Sequence, residues 1–285
     1  MEITLRTGRP ADAPACGLIC FEAFKTINQN HNFPIDIPSV EIATGFLQWM
    51  LEDSRFFVVV AELDGKIIGS NFLDERNPIA GVGPITVDPT IQNKSVGRRL
   101  MEAVGARAEQ MNFPGIRLVQ AAFHNRSLSL YTKLGYAVRE PLACITGPVL
   151  NQQLPGCEVR PAVAADLVAG NQLCARIHGH DRGGELADAI NQQKASVVFR
   201  HGRLTGYATT IGFFGHAVGE TNDDLKALIA AAPAIAGSGF LLPTRNTELF
   251  RWCLANGLRV VQPLTLMARG LYNEPAGVFL PSITY

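Results

Sequence analysis

The chain predicts a mixed α/β fold, and three observations carry that prediction. Short apolar strand runs alternate with amphipathic helical runs along the first 146 residues. Asp64-Gly65 stands between two apolar runs and is a strong hairpin signal, so the sheet contains antiparallel pairs and is not purely parallel. The pattern then restarts. Arg6-Thr7-Gly8-Arg9-Pro10-Ala11-Asp12 is echoed by Arg160-Pro161-Ala162-Val163-Ala164-Ala165-Asp166, where again a strand ends in Arg and an Asp stands six residues on, placed to cap a helix.

The first half reads as strands near 2–6, 56–63, 66–74, 82–88, 116–122 and 136–146, with helices near 11–27, 39–52, 95–111 and 126–134. Turn residues concentrate from Thr146 to Gly156, as Gly147-Pro148, Asn151-Gln152-Gln153 and Pro155-Gly156, which marks a boundary. In the second half, Arg200-His201-Gly202-Arg203 separates two apolar runs as a counterpart of the first hairpin. Helices follow near 182–193, 223–231 and 247–255, with strands near 239–243 and 259–269, and the tail after Gly270 is extended or irregular. The halves also close alike: Asn125 to Tyr136 and Asn246 to Leu258 are each an amphipathic helix stopped by glycine. Two echoes in one order indicate a duplicated fold, with domains at 1–148 and 156–285. A length of 285 residues suits two domains of roughly 130 to 150.

Lys+Arg and Asp+Glu are both 25, so the chain lacks the basic excess of a nucleic-acid binder. No apolar run is long enough to span a membrane, and the N-terminus lacks a basic-then-apolar leader, so a cytoplasmic protein is expected. The six cysteines form no CxxC pair and no zinc pattern, which suits a reducing compartment and predicts no metal. A homodimer is compatible with the sequence.

The chemistry concentrates between residues 84 and 136. The strand Pro84-Ile85-Thr86-Val87-Asp88-Pro89 runs into Gln92-Asn93-Lys94-Ser95-Val96-Gly97-Arg98-Arg99, a small-residue turn at a basic helix start. Free backbone N–H groups and the positive end of a helix dipole converge there, as phosphate binding requires. The helix Asn125-Arg126-Ser127-Leu128-Ser129-Leu130-Tyr131 then brings a phenol close to that turn. Read alone, the turn is equally a capped surface helix, and Tyr131 equally a packing aromatic.

The order of these parts resembles the GCN5-related N-acetyltransferase (GNAT) family, whose Q/R-x-x-G-x-G/A pattern here reads Gln92-Asn93-Lys94-Ser95-Val96-Gly97. Ser95 replaces the first glycine, and weakened phosphate binding is the expected result. The resemblance implies two GNAT-like domains in tandem. It also implies acetyl-CoA as co-substrate, bound by Ile85, Thr86 and Val87 through a strand bulge, by Gln92 to Arg98, and by His124 or Asn125. Tyr131 is the position that protonates the departing thiolate in relatives. The acceptor, a small-molecule or peptide amine, lies near Ala23 to Pro34 and attacks the thioester directly. Glu75 and His124 lead as general base, ahead of Asp74, Asp88 and His31, and a water chain is the alternative.

The second half lacks the cradle pattern. Gly219-Glu220-Thr221-Asn222-Asp223-Asp224 places carboxylates where phosphate would sit, and Cys253 stands at the tyrosine position. It resembles a degenerate GNAT domain that completes a wall of the acceptor pocket or fixes geometry. The rival reading of the whole chain is a non-catalytic acyl-CoA-binding sensor or interaction protein.

Overall fold

The computed structural model describes residues 3–91 and 95–285. The first half opens with β1 (Ile3–Thr7), a 3-10 turn at Pro10–Asp12, α1 (Ala13–Asn30) and α2 (Val40–Glu52). Ser39 caps α2 by accepting from the Ile42 amide at 3.3 Å. The hairpin expected at Asp64-Gly65 joins β2 (Phe56–Leu63) to β3 (Lys66–Asp74), with both residues at positive φ as a tight primed turn requires. Next come β4 (Ala80–Val82), β5 (Thr86–Val87), α3 (Val96–Gln110), β6 (Gly115–Ala121), α4 (Asn125–Lys133) and β7 (Ala137–Thr146).

The second half repeats the plan. It contains β8 (Glu158–Pro161), α5 (Leu167–His178), α6 (Gly183–Asn191), β9 (Ser196–Arg200), β10 (Arg203–Ala208), β11 (Ala217–Gly219), α7 (Asn222–Ala231), β12 (Phe240–Pro243), α8 (Thr247–Ala255), β13 (Arg259–Gly270) and β14 (Val278–Leu280). The echoed Arg/Asp pairs are superimposable in chemistry. Arg6 grips Asp12 at 2.7 and 2.9 Å while Asp12 accepts from the Arg9 amide at 2.7 Å. Arg160 grips Asp166 at 2.7 and 2.8 Å while Asp166 accepts from the Val163 amide at 2.8 Å. Each aspartate therefore locks the strand-to-helix turn; neither caps the α-helix that follows.

The strands do not divide where the chain does. One sheet has the order β1-β2-β3-β4-β6-β13-β7-β12, with β5 beside β3, and a second has β14-β11-β10-β9-β8. β13 inserts between β6 and β7, pairing both antiparallel, and β7 pairs β12 on its other edge. Each half thus lends its last long strand to the other. The exchange is cemented where Arg245 grips buried Glu140 with two donors. A second junction joins Arg76 to Asp74, Glu185 and Asp188, tying the end of β3 to α6.

Candidate active site

The strand expected over 82–88 is broken. β4 pairs β6 in parallel at Ala80↔Ile116 and Gly81↔Arg117 only, then stops at Val82. Gly83, at φ +132, and Pro84, which has no N–H, turn the chain out of the ladder, and it re-enters as β5 against β3. The irregularity thus falls at Gly83–Ile85, just ahead of the Ile85-Thr86-Val87 bulge read from the sequence. Past it β4 and β6 no longer pair, and a cavity of about 160 Å³ opens there. Val82, Gly83, Pro84 and Ile85 line one side, and Leu118 to Ala121 of β6 the other.

Tyr131 reaches this cavity from α4 and is 7% exposed. Burial pushes its phenol above the usual range, so it stays protonated at neutral pH. Its hydroxyl makes no hydrogen bond among the described residues, which leaves it available to a ligand. Beside it, Gln120 is 5% exposed; its Oε1 accepts from Ser127 Oγ at 3.0 Å, while its Nε2 has no partner. An unpartnered buried amide costs about 1–3 kcal/mol and marks a place where a bound acceptor atom would be welcome.

His124 also lines the cavity, and it caps α4: its Nδ1 accepts from the Ser127 amide at 3.2 Å. That bond places the ring hydrogen on Nε2, and burial holds the imidazole pKa below its ordinary value. The lone pair a base would use is therefore engaged in the cap, and His124 offers the cavity a donor. Asn125 faces the other way, into an open groove that it shares with Arg98, Arg126 and Lys133.

That groove adjoins the start of α3. Gln92, Asn93 and Lys94 lie outside the described residues. Ser95 precedes α3 at φ 60, ψ 14, a left-handed conformation that glycine adopts without strain. Its hydroxyl makes no capping bond to the helix. The first intrahelical bond in this turn runs from the Arg99 amide to Ser95. Among the described residues, the amides of Val96, Gly97 and Arg98 therefore have no partner, as at any helix N-terminus. A Cβ on Gly97 would make only ordinary contacts, so the fold accepts glycine or alanine there.

Glu75 does not belong to the site. Both its oxygens accept from Arg107, at 2.7 and 2.9 Å, and it is absent from the cavity lining. The lesser base candidates are engaged elsewhere as well: Asp74 holds Arg76, Asp88 caps Thr90, and His31 packs on Phe123. Of the segment Ala23 to Pro34 proposed for the acceptor, Phe24 and Ile27 reach the cavity, both from α1, which runs on to Asn30.

Sequence reasoning missed Asp36, Gln120, and the residues lent by the second half: Phe213, Phe214, Leu264, Ile283 and Thr284. Asp36 stood between Pro34 and Pro38, a position that holds a loop rigid, so a signal was present. Nothing local could have announced the second-half residues, because tertiary packing alone brings them here.

The corresponding region of the second half is closed. Thr221 and Asp224 form a reciprocal cap at α7, with Asp224 accepting from the Thr221 amide at 2.8 Å and Thr205 Oγ1 at 2.6 Å. Its own carboxylate fills the seat that a phosphate would take. β14 pairs β11 and packs on β12, filling the gap that stands open between β4 and β6 in the first half. Cys253 is fully buried, and that burial pushes its thiol up to about 12.

Residues 22–136 match the acetyltransferase (GNAT) family. That span is a GNAT domain. The match covers the parted strands, the α3 cradle and Tyr131, and stops at Tyr136. Across the whole chain, the fold is similar to that of a provisionally assigned acetyltransferase from Pyrococcus horikoshii. The TM-score is 0.75 at 15% identity, covering 97% of this chain and 94% of that one. It is also similar to a GCN5-related N-acetyltransferase from Sphaerobacter thermophilus, with TM-score 0.62 at 14% identity over 95% and 96% of the two chains. At such identities the likeness is one of fold. No curated protein matches the sequence. Among the described residues, no helix is long and apolar enough to cross a membrane, and no group of three His, Cys, Asp or Glu side chains could hold a metal ion.

Proposed function

We propose that the protein is an acetyl-CoA-dependent N-acetyltransferase whose first half alone binds the thioester, delivering the acetyl group to a primary amine by direct attack. The observation that carries this reading is the nearness of three parts. Gly97 at the start of α3 lies against Val87 of β5 and Leu130 of α4, and the next residue of α4, Tyr131, lines the cavity between the parted β4 and β6.

The residues present fit the group. Arg98, Arg126 and Lys133 supply positive charge around the groove where a diphosphate would lie. The break at Gly83–Ile85 presents backbone to a pantetheine arm, and the buried Gln120 Nε2 lacks an acceptor. Acetyl-CoA would supply an activated acyl carbon and a thiolate leaving group. Tyr131 holds the proton that the thiolate needs, and the Ile85 N–H together with Gln120 Nε2 offers donors for the carbonyl oxygen as it gains charge. The apolar lining keeps water away from the reacting atoms.

Loss of the second cradle supports single-site binding, since Asp224 occupies the seat and β14 the gap. Calorimetry with acetyl-CoA, followed by coenzyme A release assayed over a panel of amines, tests the proposal. The expected result is one site per chain and turnover on at least one amine. Binding without turnover on any amine supports the sensor reading instead; absence of binding ends both.

A further inference from the structure

The acceptor side of the cavity is apolar and closed by the second half. Phe24 and Phe46 come from α1 and α2, while Phe213, Phe214, Leu264 and Ile283 come from beyond the linker. Phe46 and Phe214 pack across the junction as a tilted pair, with ring centroids 4.6 Å apart and planes at 48°. Within this wall stands one carboxylate, Asp36, half-buried on the loop between α1 and α2. Its Oδ1 accepts from Gln262 Nε2 of β13 at 2.6 Å, and its backbone oxygen accepts from the Ser238 hydroxyl at 3.1 Å. Among the described residues it forms no ion pair with Lys, Arg or His. A carboxylate facing an apolar cavity without a cation is costly unless a ligand supplies one.

We infer that the acceptor is a monoamine with a compact apolar body, a single ring or a branched alkyl group, whose ammonium docks on Asp36 and gives that carboxylate its proton. This rests on the acetyltransferase reading above and names the substrate of the same site. Size supports it, because the cavity of about 160 Å³ must also take the acyl end of the thioester, and what remains suits a small compact body only. Charge supports it too, because one carboxylate in an aromatic wall suits one cation and disfavours a polyamine, whose further ammonium groups would lie unpaired against phenylalanine.

The protons balance. Asp36 takes one from the ammonium, and the free amine forms the new C–N bond as the C–S bond breaks. Tyr131 gives its proton to the thiolate, and the second proton leaving the nitrogen restores the phenol through solvent. One proton is released per turnover. Burial raises the Asp36 carboxyl above its ordinary value, which makes it a better acceptor than a solvated aspartate; the Asn28 and Gln262 amides oppose that rise without cancelling it. The other titratable groups facing it are the Cys144 thiol of β7 and, on the cavity lining, His124 and Tyr131.

The test compares 2-phenylethylamine and 3-methylbutylamine with spermidine and a lysine-bearing peptide, measuring kcat and KM against pH for the whole chain. Wild type should prefer the two apolar amines by at least about tenfold in kcat/KM, with an acid limb from a group titrating above an ordinary aspartate. Asp36→Asn keeps the bond from Gln262 and should fold; it should lose about tenfold or more in kcat/KM on the apolar amines and lose the acid limb, with acetyl-CoA affinity unchanged. Phe214→Ala, at a half-exposed side chain, should raise KM for 2-phenylethylamine about fivefold and leave spermidine unaffected. Preference for spermidine or peptide, or an Asp36→Asn enzyme within twofold of wild type with its acid limb intact, overturns the acceptor assignment alone. Failure of the wild type to bind acetyl-CoA overturns the acetyltransferase reading, and this inference with it.

Discussion

Tyr131 and Ser95 show how single positions set the chemistry. The Tyr131 phenol is held above its ordinary range by burial, so in the proposed reaction its proton would move uphill to a thiolate with a pKa of about 8.5. Its contribution should therefore fall near the low end of general acid catalysis. Tyr131→Phe is expected to lower kcat about a hundredfold while the acetyl-CoA Kd, read by calorimetry, stays within twofold. Ser95 presents the opposite balance. A left-handed serine costs about 1–2 kcal/mol, and glycine returns about 0.5–1 kcal/mol of that through the freedom it adds to the unfolded chain. Ser95→Gly should thus move the melting temperature by no more than a few degrees. It should tighten acetyl-CoA binding several-fold, because the departing Cβ and hydroxyl stand beside the amides that would meet the diphosphate. Unchanged affinity would show that the serine is not in the ligand's way. The requirement for a left-handed residue was legible in the sequence as a family glycine position. That the hydroxyl would leave the helix uncapped was not, since the same residue type caps α2 at Ser39.

At the scale of elements, the two halves differ chiefly in what occupies the helix N-terminus that follows β5 in the first half and β11 in the second. In the first half the amides of α3 stand ready for an anion; in the second, Asp224 satisfies the α7 cap, Thr205 and Arg200 together. Asp224→Ala should cost roughly 3 kcal/mol in chemical denaturation, the low end for breaking a buried pair, because Arg200 keeps some contact with solvent. It should leave acetyl-CoA affinity untouched. A weaker Kd would mean that α7 takes part in binding. The run of acidic residues at 220–224 made this visible in the sequence, since carboxylates favour a helix start and repel a diphosphate. Strand β3 was equally legible, ending as expected at Asp74, because the Asp64-Gly65 turn fixes the register of the hairpin. The strand read over 82–88 was not: the reading ran through Gly83-Pro84, although those residues are where the ladder has to break.

The whole molecule turns on a feature that no local pattern announces, the exchange of long strands between the halves. β7 and β13 both alternate and both follow a helix stopped by glycine, so the sequence rightly gives two strands, yet their partners are set by packing across about 120 residues. The consequence is sharpest for β7, whose ladder partners are β12 and β13, both from the second half. A fragment of residues 1–148 would keep the cradle and Tyr131 but leave β7 and one edge of β6 bare, and bare apolar edges associate. The aromatic wall that completes the cavity would also be gone. Such a fragment, expressed alone, should be aggregated or dimeric by size-exclusion chromatography and should lack a sharp thermal transition. Added residues 149–285 should restore a monomer-sized complex, and the intact chain should melt in one cooperative step by calorimetry. A monomeric 1–148 fragment with a sharp melt would mean that the strand exchange adds little to stability and that the second half serves the acceptor pocket alone.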